Sequence, residues 1–149
     1  MSAPARKDEG LTRRDELAVS GAAMSQAPWA VAGAAGAVVT GGDLVLHLLT
    51  ANLGLTSSLS AGTVAFFAVA AGGAALSGRS GRAMRWARQN PWRFAVLPGV
   101  ACAIVVFVLS VMLGGGMIGG TFSALWHGAA AYGLTGVAAS VGRGRKRGA

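Results

Sequence analysis

FAVLPGVACAIVVFVLSVML, residues 94–113, carries one strongly polar side chain, Ser110, and no charge. About 20 consecutive apolar residues is the length an α-helix needs to cross the hydrocarbon core of a bilayer. A soluble four-helix bundle would place a polar face on each helix, and this stretch is apolar all round. Three further stretches of similar character surround it, at residues 29–50, 60–77 and 121–141. The 149-residue chain is 53% hydrophobic and only 12% charged, against about 25% charged in an ordinary soluble domain. The expected fold is therefore all-α: a polytopic membrane protein with four transmembrane helices.

The charges orient it. Arg79, Arg82, Arg85, Arg88 and Arg93 lie between the second and third stretches, and Arg143, Arg145, Lys146 and Arg147 follow the fourth. The linkers 51–59 and 114–120 carry none. By the positive-inside rule both termini and the 78–93 loop are expected on the cytoplasmic side. The domain layout is then a polar cytoplasmic tail (1–27), a transmembrane domain (28–141) and a basic cytoplasmic tail (142–149).

Within the first tail, RKDE at residues 6–9 and RRDE at 13–16 alternate in sign, as a solvated segment does. Thr12 and Asp15 have the spacing of a capping box for a short helix running into Met24. No short apolar core follows a basic start, so the first span is expected to act as an uncleaved anchor. Only Lys7 and Lys146 are lysines among the 13 basic residues. That bias fits a GC-rich bacterial source, and with it a multi-pass location in the bacterial cytoplasmic membrane.

Small residues suggest how the helices pack. Gly33, Ala37 and Gly41 recur along one face of the first span, and Gly128 and Gly136 flank Tyr132 in the fourth. Such spacing lets helix backbones approach closely in lipid. The first and fourth spans are expected to pack together, with the Val- and Leu-rich third span facing lipid. Cys102, the only cysteine, is expected to be a buried apolar thiol.

Three polar residues inside the spans are the candidate site: Asp43, His47 and His127. Ionisable groups in hydrocarbon usually face a bundle interior or water. At 1.5 Å per residue they lie about 10, 5 and 9 Å below the outer surface. One reading pairs Asp43 with His127 between the first and fourth helices, with His47 above, as a proton-sensitive or ion-contacting cluster. The other lets His47 reach interfacial water, Asp43 follow by local thinning, and His127 satisfy a single hydrogen bond.

In the central loop, a helical wheel places Arg82, Arg85, Arg88 and Gln89 opposite Ala83, Met84, Trp86 and Ala87. This describes a short basic helix on the inner membrane surface, near Trp29, Trp86 and Trp92, where arginines gain from anionic headgroups. The alternative is that this loop and the terminal RGRKR meet nucleic acid or an acidic protein. No HExxH, GxSxG or P-loop pattern occurs, and Asp43 is the only acid after Glu16. An enzyme, a bound metal and a cofactor are all unexpected on these grounds.

The Ala/Gly/Arg-rich build, with PWAVAGAAGAVVTGGDLVLHLL at residues 28–49 and GRGRKRGA at 142–149, resembles the small membrane "spread" (Spd) proteins of actinomycete conjugative plasmids. The resemblance lies in size and layout, and no functional residue carries over from it. It implies a non-enzymatic helper of DNA transfer that forms membrane assemblies beside a motor protein. Two functions are thus expected from different classes. One is a structural component that forms homo-oligomers or binds other membrane proteins. The other is an oligomeric transporter or channel subunit that uses Asp43, His47 and His127.

Overall fold

The computed structural model describes residues 12–51, 54–77 and 81–144. They form six helices: α1 (Arg13–Met24), α2 (Trp29–Leu49), α3 (Leu55–Leu76), α4 (Arg82–Gln89), α5 (Pro91–Met112) and α6 (Met117–Gly144). Among the described residues α2, α3 and α5 are long and apolar enough to cross a membrane. α6 is longer, at 28 residues, but is interrupted by Thr121, Ser123, His127, Tyr132, Thr135 and Ser140.

Helix α3 begins at Leu55, earlier than the expected residue 60, and the cause is local. Its polar start, LTSSLS, resembles a linker, but its three serine hydroxyls find acceptors close to the helix start or across on α2. Ser60 Oγ donates to the Thr56 carbonyl at 2.7 Å and Thr63 Oγ1 to the Leu59 carbonyl at 2.7 Å. Such back-bonding keeps Ser and Thr tolerable in an apolar helix.

Two antiparallel hairpins, α2–α3 and α5–α6, form the long-helix layer, and they are built alike. Gln26-Ala27-Pro28-Trp29 enters α2, and Gln89-Asn90-Pro91-Trp92 enters α5. One turn-multiple further on, Gly36 and Gly99 stand at matching places. A Cβ on Gly36 would lie 3.0 Å from the Gly62 carbonyl and 3.2 Å from Phe66 Cβ, and one on Gly99 would lie 3.2 Å from the Gly128 carbonyl and 2.9 Å from Tyr132 Cβ. Each hairpin therefore crosses glycine on glycine, at a separation only glycine permits. Each crossing is braced by the entering tryptophan on the returning helix's aromatic, Trp29 on Phe66 at 5.9 Å and Trp92 on Tyr132 at 5.5 Å between centroids. Beside each runs a groove at the same repeat positions: Gly33, Ala37, Leu59 and Thr63 in the first, and Val96, Val100, Leu125 and Ala129 in the second. The short helices complete the repeat, α1 ahead of α2 and α4 ahead of α5.

The expected packing of the first and fourth spans does not occur. α2 approaches α3 alone, while α3 packs also on α5 and α6. α2 buries Ala32 and Gly36; a Cβ on Gly33 or Gly41 would meet nothing within 4 Å, and Ala37 is exposed. The Gly33, Ala37 and Gly41 stripe thus faces outward, one residue out of register with the stripe that packs. Gly128 is a crossing residue, but it meets α5, and Gly136 sits against the Trp92 ring. α5, expected to face lipid, is as buried as α3: 39% of its apolar stretch is covered, against 11% for α2.

The short helices close the other end. α1 carries the expected capping box, with Thr12 and Asp15 bonded reciprocally. It does not stand free in water: Ala23 and Met24 join Met84 and Ala87 of α4 in the main core, which also takes in Ala70, Ala71, Ala74, Ala75 and Phe94. The amphipathic helix expected at residues 82–89 is present, and its apolar side faces protein. Its apolar face, with Met84 and Ala87 at 0% exposure, is covered by protein because α1 folds back to meet it.

Candidate functional site

The polar network lies at the turn between α2 and α3. Ala32, Gly36, Thr40, Asp43 and His47 follow one another along the face of α2 nearest α3, so the helix period that packs the crossing also delivers the carboxylate and imidazole to it. Asp43 Oδ2 accepts from Ser58 Oγ at 2.7 Å, and Ser58 is 1% exposed. This is a side-chain hydrogen bond joining the two helices.

His47 stands one turn on. Its Nδ1 is 2.9 Å from the Asp43 carbonyl oxygen and 3.2 Å from Asp43 Oδ2. Both neighbours are acceptors only, so Nδ1 carries a proton. On the other edge, Nε2 lies 3.3 Å from Ser57 Oγ, and that hydroxyl reaches the Gly54 carbonyl at 2.8 Å. With a neutral ring, the Ser57 hydroxyl proton serves either Gly54 or Nε2. With a protonated ring, Nε2–H donates to Ser57 while Ser57 donates to Gly54, and every contact is satisfied. Gly54 makes the space, since a Cβ there would overlap the imidazole.

His127 is elsewhere. Its Nδ1 lies 2.7 Å from the Ser123 carbonyl and 3.3 Å from Ser123 Oγ, within α6. Its own carbonyl accepts from Cys102 Sγ of α5 at 3.7 Å, within the range of a sulfur donor. α6 also begins at Met117 rather than residue 121, which sets His127 about 15 Å along it. The three-residue cluster of Asp43, His47 and His127 is therefore not assembled within one chain, because α3 separates α2 from α6. Among the described residues no group of three or more His, Cys, Asp or Glu side chains could hold a metal ion.

The arginines divide into structural and exposed. Arg88 Nε donates to the Ala75 carbonyl at 2.9 Å, closing the C-terminal end of α3, where a cation meets the negative pole of the helix. Arg93 pairs with Glu16 and ties α5 to α1. Arg82 and Arg85 are exposed on α4. Arg79, Arg145, Lys146 and Arg147 lie outside the described residues, and Arg143 falls in the last turn of α6.

Reasoning from the sequence missed Ser57, Ser58 and Gly54, and it missed the repeat. The signal was present: two QxPW tetrapeptides, each followed at the same distance by a glycine, and two GxxxF/Y patterns at Gly62–Phe66 and Gly128–Tyr132. Comparison with protein-family models, with curated proteins and with solved structures finds no match.

Proposed function

We propose that the chain is a non-enzymatic integral membrane protein with four spans and cytoplasmic termini, acting as a structural component of a membrane assembly. The observation that carries this reading is α2. A helix of membrane-spanning length buries only Ala32 and Gly36 in its own chain, while the ionisable groups it carries are bonded inward to α3. A span so little used by its own fold is suited to packing against other proteins.

α6 is the fourth span in this reading. It returns along α5 through the same glycine crossing that α3 makes with α2, and α3 is apolar enough to span. The arginine-rich segments then share the cytoplasmic side with the termini. Anionic lipid headgroups are the first partner there, and Arg82 and Arg85 are the exposed residues on α4 able to meet them. The resemblance to spread proteins extends this to a helper of plasmid DNA transfer, with nucleic acid as a second partner for the same arginines.

The test begins with membrane retention under alkaline extraction and the mass of the detergent-solubilised particle. A particle larger than one chain is expected. Salt-sensitive DNA binding that disappears in Arg82→Gln/Arg85→Gln supports the transfer role, and plasmid transfer between cells expressing each form measures it. Proton or ion leak into liposomes that is abolished by Asp43→Asn would replace the structural role with transport.

A further inference from the structure

A cavity of about 480 Å³ lies between α1 and α5, within the roughly 300–1,000 Å³ of small-molecule sites. Arg13, Glu16, Leu17 and Ser20 recur three or four residues apart, so one face of α1 lines it. α5 supplies Arg93 and Val96. Glu16 holds Arg93 in place, and because a guanidinium carries five N–H donors, that pairing leaves others for a ligand. Arg13 forms no ion pair among the described residues. Two guanidiniums and one carboxylate leave a single positive charge, the complement of one phosphodiester.

Ser20 adds a donor. It is 3% exposed, yet its hydroxyl has no hydrogen-bond partner among the described residues. Ser60 and Ser140, by contrast, return their hydroxyls to the carbonyl four residues back. Ser110 and Thr135 also lack partners, but their oxygens are sealed within protein, whereas Ser20 borders the cavity. A buried hydroxyl left unpaired is unfavourable, and an acceptor brought by a ligand would relieve it.

The cavity does not end at α1. Val96 also lines the apolar groove between α5 and α6, together with Val100, Ala103, Leu125 and Ala129, so the charged cavity and the groove share a wall. From Arg93 to Ala103 is about 15 Å along α5, half of the roughly 30 Å hydrocarbon core. That is the depth of one leaflet. The first hairpin has a groove at the same repeat positions, but Ala30 follows Trp29 there, where Arg93 follows Trp92.

We propose that α1, α5 and α6 form a binding site for one anionic phospholipid. Arg13 and Arg93 hold its phosphate, Ser20 donates to a phosphate or ester oxygen, and an acyl chain lies along Val96, Val100, Leu125 and Ala129. The site rests on the four-span reading above, in which Arg93 stands at the cytoplasmic surface. Arg82 and Arg85 meet headgroups by charge alone; the hydroxyl and the groove fix a single lipid at a single place.

The full chain in detergent, titrated with dioleoyl phosphatidylglycerol or dioleoyl phosphatidylcholine and read by native mass spectrometry, tests this. One phosphatidylglycerol per chain is expected, bound about tenfold or more tightly than phosphatidylcholine. Arg13→Gln/Ser20→Ala, which leaves the Arg93–Glu16 pair intact, should weaken it about tenfold, and Arg13→Lys should keep most of the preference. Ala129→Phe, which fills the groove from an exposed position, should weaken both lipids. Arg82→Gln/Arg85→Gln should change neither. Equal binding of the two lipids would overturn the proposal, as would a loss in Arg82→Gln/Arg85→Gln without one in Arg13→Gln/Ser20→Ala. Unchanged binding in Ala129→Phe, or displacement of the lipid by soluble glycerophosphoglycerol at equal concentration, would reduce the site to a phosphate contact and overturn it as a lipid site. Release of the chain from membranes at alkaline pH would overturn the four-span reading and this site together; retention without lipid preference would remove the site alone.

Discussion

Where hairpin α2–α3 has Asp43, His47, Ser57 and Ser58 at its turn end, hairpin α5–α6 has Val106, Ser110, Ser123 and Ala124 at the same repeat positions. Val106 is fully buried in an apolar cluster, so the repeated architecture does not require a charge there. The crossings are shared, Gly36 on Gly62 and Gly99 on Gly128, and so are the entering tryptophans. The difference separates two tasks. Glycine and aromatic residues set how the helices cross, whereas the turn end is free to be polar or apolar, and in the first hairpin it is polar.

The largest effect is expected at the crossings. A Cβ on Gly62 would lie 2.7 Å from the Gly36 carbonyl, and one on Gly128 would lie 3.0 Å from the Gly99 carbonyl. Gly62→Val and Gly128→Val are each expected to cost about 3 kcal/mol, at the upper end of overpacking losses, as measured by reversible unfolding in mixed detergent micelles. Gly33→Val and Gly41→Val should change stability by under about 0.5 kcal/mol. Equal losses at the two crossings with none at the outward stripe sustain the shared architecture; unequal ones break it.

Next comes the swap of turn ends. Asp43→Val leaves the buried Ser58 hydroxyl without its partner, for an expected loss of about 1–3 kcal/mol. Adding Ser58→Ala, which installs the residue of the second hairpin, should recover most of that loss, since replacing both members of a hydrogen bond by apolar groups is nearly neutral. A double variant as unstable as the single one would mean that the network holds the hairpin together by some route other than this bond.

Gly54→Ala is expected to cost about 1 kcal/mol by pushing the His47 ring from Ser57. The ring's NMR resonances should report its release, and unchanged resonances would refute the tight fit. The smallest effect belongs to two buried hydroxyls without partners among the described residues, Ser110 Oγ and Thr135 Oγ1. Ser110→Ala and Thr135→Val should lie within about 0.5 kcal/mol of the parent or be slightly more stable, as read in the same unfolding assay.

The apolar core of each long helix was legible from composition, and the Thr12–Asp15 cap was legible from spacing. The start of α3 was not, because Ser57, Ser58 and Ser60 count as polar until their hydrogen bonds to carbonyls and to Asp43 are known. The packing stripe of α2 was read one residue out of register. In a helix as rich in Ala and Gly as this one, both Gly33–Ala37–Gly41 and Ala32–Gly36–Thr40 satisfy small-residue spacing, and only the partner helix chooses between them. Asp43 and His47 sharing a helix face followed from their separation. That His127 lies apart depends on α3 standing between α2 and α6, a fact of tertiary packing that no local pattern in α2 or α6 contains.

The central claim is that two like hairpins run in the same direction through one membrane, and cysteine accessibility tests it most directly. In a Cys102→Ala background, Thr50→Cys and Leu113→Cys place single thiols at the two hairpin turns, and Arg85→Cys places one on α4. A membrane-impermeant maleimide applied to intact cells is expected to label the first two and to spare the third until the cells are opened. Labelling of only one turn, or of Arg85→Cys in intact cells, would contradict the account.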